Sequence, residues 1–211
     1  MANELAKAIT KIICPILLTE GFRRARRHVF IRAENGIVQR LDFQLNGWGG
    51  RDFCVNISAN LIAANEFVAL QPGYRLKYDR GGRVEWLPSN TKEEAENSSN
   101  KVLEAIRVEA LPYFEKIRSI EGFSSLLAKE QWGSAHHLSF QRGVAAAAGG
   151  DIPNALRHLD NAIRLYQEDG REWCANYIAR AKILSEGLQR GSARKILAQW
   201  EEANRPAHGI S

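Results

Sequence analysis

The side chains that carry most protein chemistry are sparse and scattered in this sequence. Cys14, Cys54 and Cys174 stand far apart, with no CxxC pair and no histidine at metal-ligand spacing. That pattern implies reduced thiols rather than a disulfide framework or a zinc site. His136 and His137 are adjacent, so on a helix their side chains diverge by about 100° and cannot form the same-face pair of a helical metal site. His158 and Asp160, two residues apart, diverge likewise, and all five histidines, with His28 and His208, are expected to be solvated or locally hydrogen-bonded.

Other catalytic signatures are missing as well. The sequence holds no GxSxG elbow, Walker loop, HExxH or dinucleotide GxGxxG. Gly47, Gly49 and Gly50 could suggest a phosphate cradle, but such loops open a helix whose amides bind the anion, and here a strand follows. A hairpin turn is the expectation. Glu93, Glu94 and Glu96, and the pair Glu201 and Glu202, read as solvated helix faces, because acid–base work needs carboxylates held together in a cleft. No catalytic residue, metal or cofactor is assigned.

One basic cluster stands out: Arg23, Arg24, Arg26 and Arg27, followed by His28. Guanidinium groups at this density can grip phosphates in bidentate fashion, which points to nucleic acid. They can also guard the edge of a sheet against unwanted pairing. The overall balance, 29 Lys and Arg against 24 Asp and Glu for a net charge of +5, leans towards anionic partners without demanding one.

The elements that would position these groups follow from periodicity. Leu5, Ile9, Ile12, Ile13, Ile16 and Leu17 recur at helical spacing over residues 3–20, with Gly21 as the stop and Pro15 expected to kink the helix or begin a new turn. From His28 the period becomes two. A strand over 28–33, the dipeptide Asn35-Gly36, a strand over 37–45, a glycine-rich turn and a strand over 53–61 succeed one another. Residues 74–78 and 83–87 flank Asp79-Arg80-Gly81-Gly82 as a second hairpin.

An antiparallel sheet of about five strands results, with one buried and one partly polar face. Ser89-Asn90-Thr91 before Glu93 and Glu94 marks the start of a long helix that Pro112 would break or bend, with a short helix over 123–132 beyond it. From residue 136 onward everything reads as short helices: 136–148, 153–167, 171–187 and 192–204.

Alternation puts Arg32, Arg40, Asp42, Gln44, Asn56, Ser58 and Asn60 on one side of three sequential strands, with Gln39 the lone polar residue on the apolar side. The plain reading is the wet side of a two-layer domain. Yet asparagine is depleted in strands, and Asn56 with Asn60 asks for a reason that propensity does not supply. These seven residues form the candidate binding surface.

Two resemblances add to this. Gly143, Gly150-Asp151, Ala155 and Ala162 fall on the small and turn positions of a tetratricopeptide repeat, and the tail resembles a single degenerate repeat; Ser139 and Gln167 depart from that family's pattern. The front part, roughly 12–120, resembles an uncharacterised bacterial family, domain of unknown function 4304. The likeness lies in Pro15-Ile16-Leu17, Gly21-Phe22-Arg23, Phe30-Ile31-Arg32, Gln44, Phe53-Cys54-Val55-Asn56 and Leu111-Pro112. It implies a bacterial source and brings no catalytic residues.

The expected protein is of the α+β class, with a sheet domain over 1–130 and a helical, tetratricopeptide-like appendage over 131–211. It is expected in the cytoplasm, since the apolar run near the start is broken by Pro15 and followed at once by arginines, unlike a signal peptide or membrane span. A non-enzymatic protein that recognises another protein ranks first, an immunity protein against a toxin being one example. Nucleic-acid association through the arginine cluster ranks second, and an enzyme acting on a small molecule third.

Overall fold

The computed structural model of the chain describes residues 4–47, 51–64, 73–78, 86–129 and 134–210. The chain divides into two compact units. One comprises Met1–Ala33, Val38–Ala59 and Gly73–Glu115; the other comprises Glu34–Ile37, Asn60–Pro72 and Lys116–Ser211.

In the first unit both proline-bearing helices contain a π-turn. Helix α1 (Glu4–Ala8) runs through a π-turn (Ile9–Ile13) into α2 (Cys14–Thr19), and α3 (Lys92–Ala105) runs through another (Ile106–Ala110) into α4 (Leu111–Lys116). In each, a backbone N–H reaches five residues back: Cys14 donates to the Ile9 carbonyl and Leu111 to that of Ile106. A proline in a regular helix leaves a carbonyl unbonded and presses its ring against it. The widened turn just before Pro15 and Pro112 absorbs that misfit, so the expected breaks take the form of bulges in helices that continue.

Local chemistry sets the ends. Gly21, at φ +80°, closes α2 with Phe22 N–H donating to Leu17 O and Gly21 N–H to Leu18 O, a Schellman pattern. Thr91 caps α3 reciprocally with Glu94, whose carboxylate accepts from the Thr91 and Asn90 amides. Leu5, Ala8, Ile9, Ile13 and Leu17 are all buried along one stripe.

Five strands follow chain order in one antiparallel sheet: β1 (Arg23–Arg26), β2 (Val29–Glu34), β3 (Ile37–Leu45), β4 (Phe53–Leu61) and β5 (Gly73–Arg75). Asn35 at φ +52° and Gly36 at φ +73° make the tight turn that their sequence predicts. Arg23, Arg24 and Arg26 of the arginine cluster lie on the edge strand β1, which pairs Arg23 with Ile31, whereas the alternation in sequence begins the sheet only at His28. Arg27 sits in the turn that follows.

Of the second predicted hairpin, residues 79–85 lie outside the described residues, as do 48–50 of the glycine-rich turn; Leu87 makes a single bridge to Phe53. The ladder on β4 is completed in between by a side chain, since Val55 N–H donates to the Tyr78 hydroxyl at 2.8 Å.

The core face of the sheet carries a file of rings, Phe30 against Phe43 (6.1 Å) and Phe43 against Phe53 (6.3 Å), while Phe22 meets Phe114 of α4 at 5.4 Å. Each is at most 2% exposed, and each contributes about 1.5–3 kcal/mol of apolar burial.

The second unit contains α5 (Ile120–Lys129), α6 (Ala135–Gly149), α7 (Ile152–Asp169), α8 (Cys174–Gln189) and α9 (Ala193–Asn204). Helix α6 is central, touching the other four, so six consecutive residues, His136 to Gln141, are buried. It packs tightly against α7 at Gly143, where a Cβ would sit 2.8 Å from Leu159 Cγ. Chain segments from the sheet region are tied into this unit by polar contacts: Arg118 pairs with Glu34 (2.6 Å), Arg180 donates to Ala63 O, and Asn204 donates to Ile62 O (2.7 Å).

Candidate functional site

The polar side chains predicted to share one sheet face divide between the two faces. Arg32 belongs to the core face. It is 7% exposed and donates from Nε to Gln39 Oε1 (2.8 Å) and from its terminal nitrogens to Glu20 O and Glu115 Oε1, with its guanidinium over the Phe22 ring.

The reason is register. A two-residue turn sets Glu34 opposite Ile37, and stepping back two residues on each strand sets Arg32 opposite Gln39, not beside Arg40. Asn60 is corrected too: it is fully buried, and neither amide atom has a hydrogen-bond partner among the described residues.

What remains is a patch on β3, β4 and β5. Arg40 and Asp42 form an ion pair at 2.8 Å. Gln44 Oε1 accepts from Asn56 Nδ2 at 2.8 Å, and Asn56 Oδ1 accepts from Arg75 Nε at 3.3 Å. Three strands are thereby linked by one polar ladder, and Ser58 stands beside it, half-buried. Arg75 lies opposite Asn56 in the strand register, and its guanidinium stacks 5.1 Å from the centre of the Trp86 ring, which is 38% exposed.

Beneath the ladder Cys54 is buried, and desolvation with the Asp42 charge nearby pushes its thiol pKa up against the opposing pull of Arg75. That thiol is a weak nucleophile. Asn56 therefore has the reason that propensity lacked: it both donates and accepts between two neighbours, which no aliphatic strand residue can do.

Arg75 and Trp86 were not legible as site residues. Alternation alone puts Arg75 on a strand, but its pairing with Asn56 crosses the segment 65–72 and has no local signal.

The arginine cluster is partly committed elsewhere. Arg24 donates to the Arg27 carbonyl and to Thr10 Oγ1 (2.8 Å), and its guanidinium lies over Phe30; Arg23, Arg26 and Arg27 are exposed. His28 is pulled down in pKa by burial and by the charges of Arg27 and Arg24. In the helical unit His136 and His137 both point inward, ring centres 4.4 Å apart, among Tyr166, Trp173 and Tyr177. Burial of α6 on all sides overrides the divergence expected of neighbours. Among the described residues no group of three or more His, Cys, Asp and Glu is placed to hold a metal ion, and no helix is long and apolar enough to cross a membrane.

The architecture is that of an α+β protein whose candidate site is a side-chain ladder on an open sheet. Residues 13–116, from the end of the first π-turn to the end of α4, match the family described as Domain of unknown function (DUF4304). Helices α5 to α9 lie beyond that match. No curated protein and no solved structure matches the chain.

Proposed function

We propose that this chain is a non-enzymatic recognition protein of the bacterial cytoplasm and that the β3–β5 patch is where it grips a protein partner. The observation that carries the reading is the ladder Gln44–Asn56–Arg75 capped by Trp86. It holds an arginine and a tryptophan, the residue types that dominate interface energies, in fixed positions on a sheet. A side-chain platform with its polar groups already paired loses little entropy on docking. An immunity protein that neutralises a toxin is the kind of protein that fits a small, rigid platform of this sort. The helices α6 and α7, with Gly143 against Leu159 and with Ala155 and Ala162 wholly buried, support a tetratricopeptide-like pair as its appendage.

The test is affinity capture with the full tagged chain in its native cell, followed by titration of the captured partner. Arg75→Ala and Trp86→Ala should each weaken binding by about thirtyfold or more. Arg26→Ala with Arg27→Ala should leave it within twofold at moderate salt. Undiminished binding by the first two variants refutes the reading. Loss confined to the arginine-strand variant, with steep salt dependence and nucleic acid in the eluate, replaces it with nucleic-acid association.

A further inference from the structure

The helical unit contains a groove of about 590 Å³ that the recognition patch does not use, lined by α5, α6 and α7. Its size falls in the range of small-molecule sites, about 300–1,000 Å³. The floor is apolar, from Ile120 and Leu127 of α5 and from Ala145, Ala146 and Gly149 of α6. Apart from Arg142, α6 offers only the small residues Ala145, Ala146 and Gly149 on this side, which leaves the space open.

The walls carry both signs of charge, with the cations gathered on α6 and α7. Arg142, Arg157 and His158 converge there; burial lowers the His158 pKa, the charges of Arg157 and Arg142 add to it, and the Asp151 carboxylate opposes them. Arg142 is anchored by donating from Nε to Leu127 O (2.9 Å), which ties α6 to the end of α5. Arg157 donates to Asn154 Oδ1 (2.9 Å) and lies 3.0 Å from His158 Nε2. A guanidinium can only donate, so Nε2 is the acceptor and His158 carries its proton on Nδ1.

Two carboxylates also line the groove. Asp151 caps α7, with Oδ1 accepting the Asn154 amide and Oδ2 its side chain, and it stays charged, its carboxylate acting on Arg157 and His158. Glu121, exposed at the rim, is a second opposing charge.

We infer that this groove binds a small organic anion whose apolar body lies on the Ile120, Leu127 and Ala146 floor and whose charged end meets Arg157 and Arg142. The apolar floor and cationic wall are adjacent, so one amphipathic molecule satisfies both. The arginines are already oriented by backbone and side-chain acceptors, which lowers the ordering cost of binding.

Two fluorescent probes of equal body test this on the full chain: 1-anilinonaphthalene-8-sulfonate, which is anionic, and N-phenyl-1-naphthylamine, which lacks the sulfonate. The expected result is one sulfonate-probe site per chain, bound about tenfold more weakly by Arg157→Gln, while the neutral probe changes less than twofold. Ala146→Leu, which fills the floor, should weaken both probes, with near-ultraviolet circular dichroism unchanged to show that the fold is intact. Absence of saturable binding, or affinity unmoved by both substitutions, overturns the inference. An equal loss of both probes on Arg157→Gln overturns it as well, because the charge would then play no part.

Discussion

Arg32 and Gln39 face each other across β2 and β3, joined by a 2.8 Å hydrogen bond from Arg32 Nε to Gln39 Oε1, inside a layer otherwise made of phenylalanine and aliphatic side chains. Gln39 passes the connection on, donating from Nε2 to Phe114 O at 2.8 Å. Sheet and helix α4 are thus held in register by one amide that is acceptor on one side and donor on the other. Half of a buried polar pair is costlier than either the pair or none, since the abandoned group has already lost its water.

Gln39→Leu should accordingly destabilise the fold by about 2–4 kcal/mol, because it strands both Arg32 Nε and Phe114 O. Gln39→Glu keeps an acceptor for Arg32 and loses only the donor, so it should cost less. Urea denaturation of both variants checks the order. Equal losses, or a Leu variant as stable as the parent, would show that the amide holds nothing in register.

The contact of Gly143 with Leu159 makes a second prediction. Alanine is the better helix former by about 1 kcal/mol, but its methyl would enter at 2.8 Å from Leu159 Cγ and Cδ2 and 3.2 Å from the Leu159 backbone nitrogen. Overpacking of that kind costs about 1–3 kcal/mol, so Gly143→Ala should be net destabilising by up to ~2 kcal/mol. Leu159→Ala alone should cost about 2–5 kcal/mol. The double variant should be more stable than additivity gives, because each change makes room for the other. Strict additivity in a thermal-denaturation cycle would contradict the contact.

The buried histidine pair predicts an acid sensitivity. His137 Nδ1 lies 2.7 Å from the Tyr166 hydroxyl. Burial, reinforced by His136 and Arg171 against the opposing charge of Asp169, lowers the His137 pKa to about 4 from an ordinary 6.5. Burial lowers His136 as well. The unfolded chain therefore binds more protons than the folded one between about pH 6.5 and 4, and stability falls as pH falls through that window and is level above it. Asp169, held far below the usual carboxylate range by Arg171, stays charged throughout.

The expected drop in Tm between pH 7 and pH 4.5 is roughly 5 °C. His137→Phe should flatten the slope of Tm against pH, and an unchanged slope would assign the sensitivity to other groups.

At the start of α3, Thr91→Ala removes the acceptor for the Glu94 amide, 3.1 Å away. A loss of about 1 kcal/mol is expected, with Thr91→Ser close to the parent. Chemical denaturation separates the two, and a Thr91→Ser variant as weak as the alanine would deny the capping role.

Much of the architecture was written locally. Asn35-Gly36 specifies its own turn, because those two residues tolerate positive φ at little cost. The Thr91 cap, the glycine stops and the apolar stripe of the first helix likewise need only neighbours within a few residues. The two prolines announced a disturbance, and its form as a π-turn depends on the helix being held by packing on either side. The hairpin register that puts Arg32 against Gln39 was also present in the sequence, but it emerges only when strand alternation is read together with turn length.

The sequence by itself determined the helices, three of the strands and many of their ends, the α+β class and the period-two separation of Arg40, Asp42, Gln44, Asn56 and Ser58 from the core, but not the strand Arg23–Arg26. Tertiary structure alone decided that Arg75 and Trp86 complete that patch, that Asn60 is buried, and that His136 and His137 turn inward together. Short-range choices are governed by backbone sterics and hydrogen bonds between near neighbours, which residue order encodes directly. Burial and cross-strand partners depend on which distant surfaces come to cover one another, and that is settled only when the whole chain minimises its exposed apolar area.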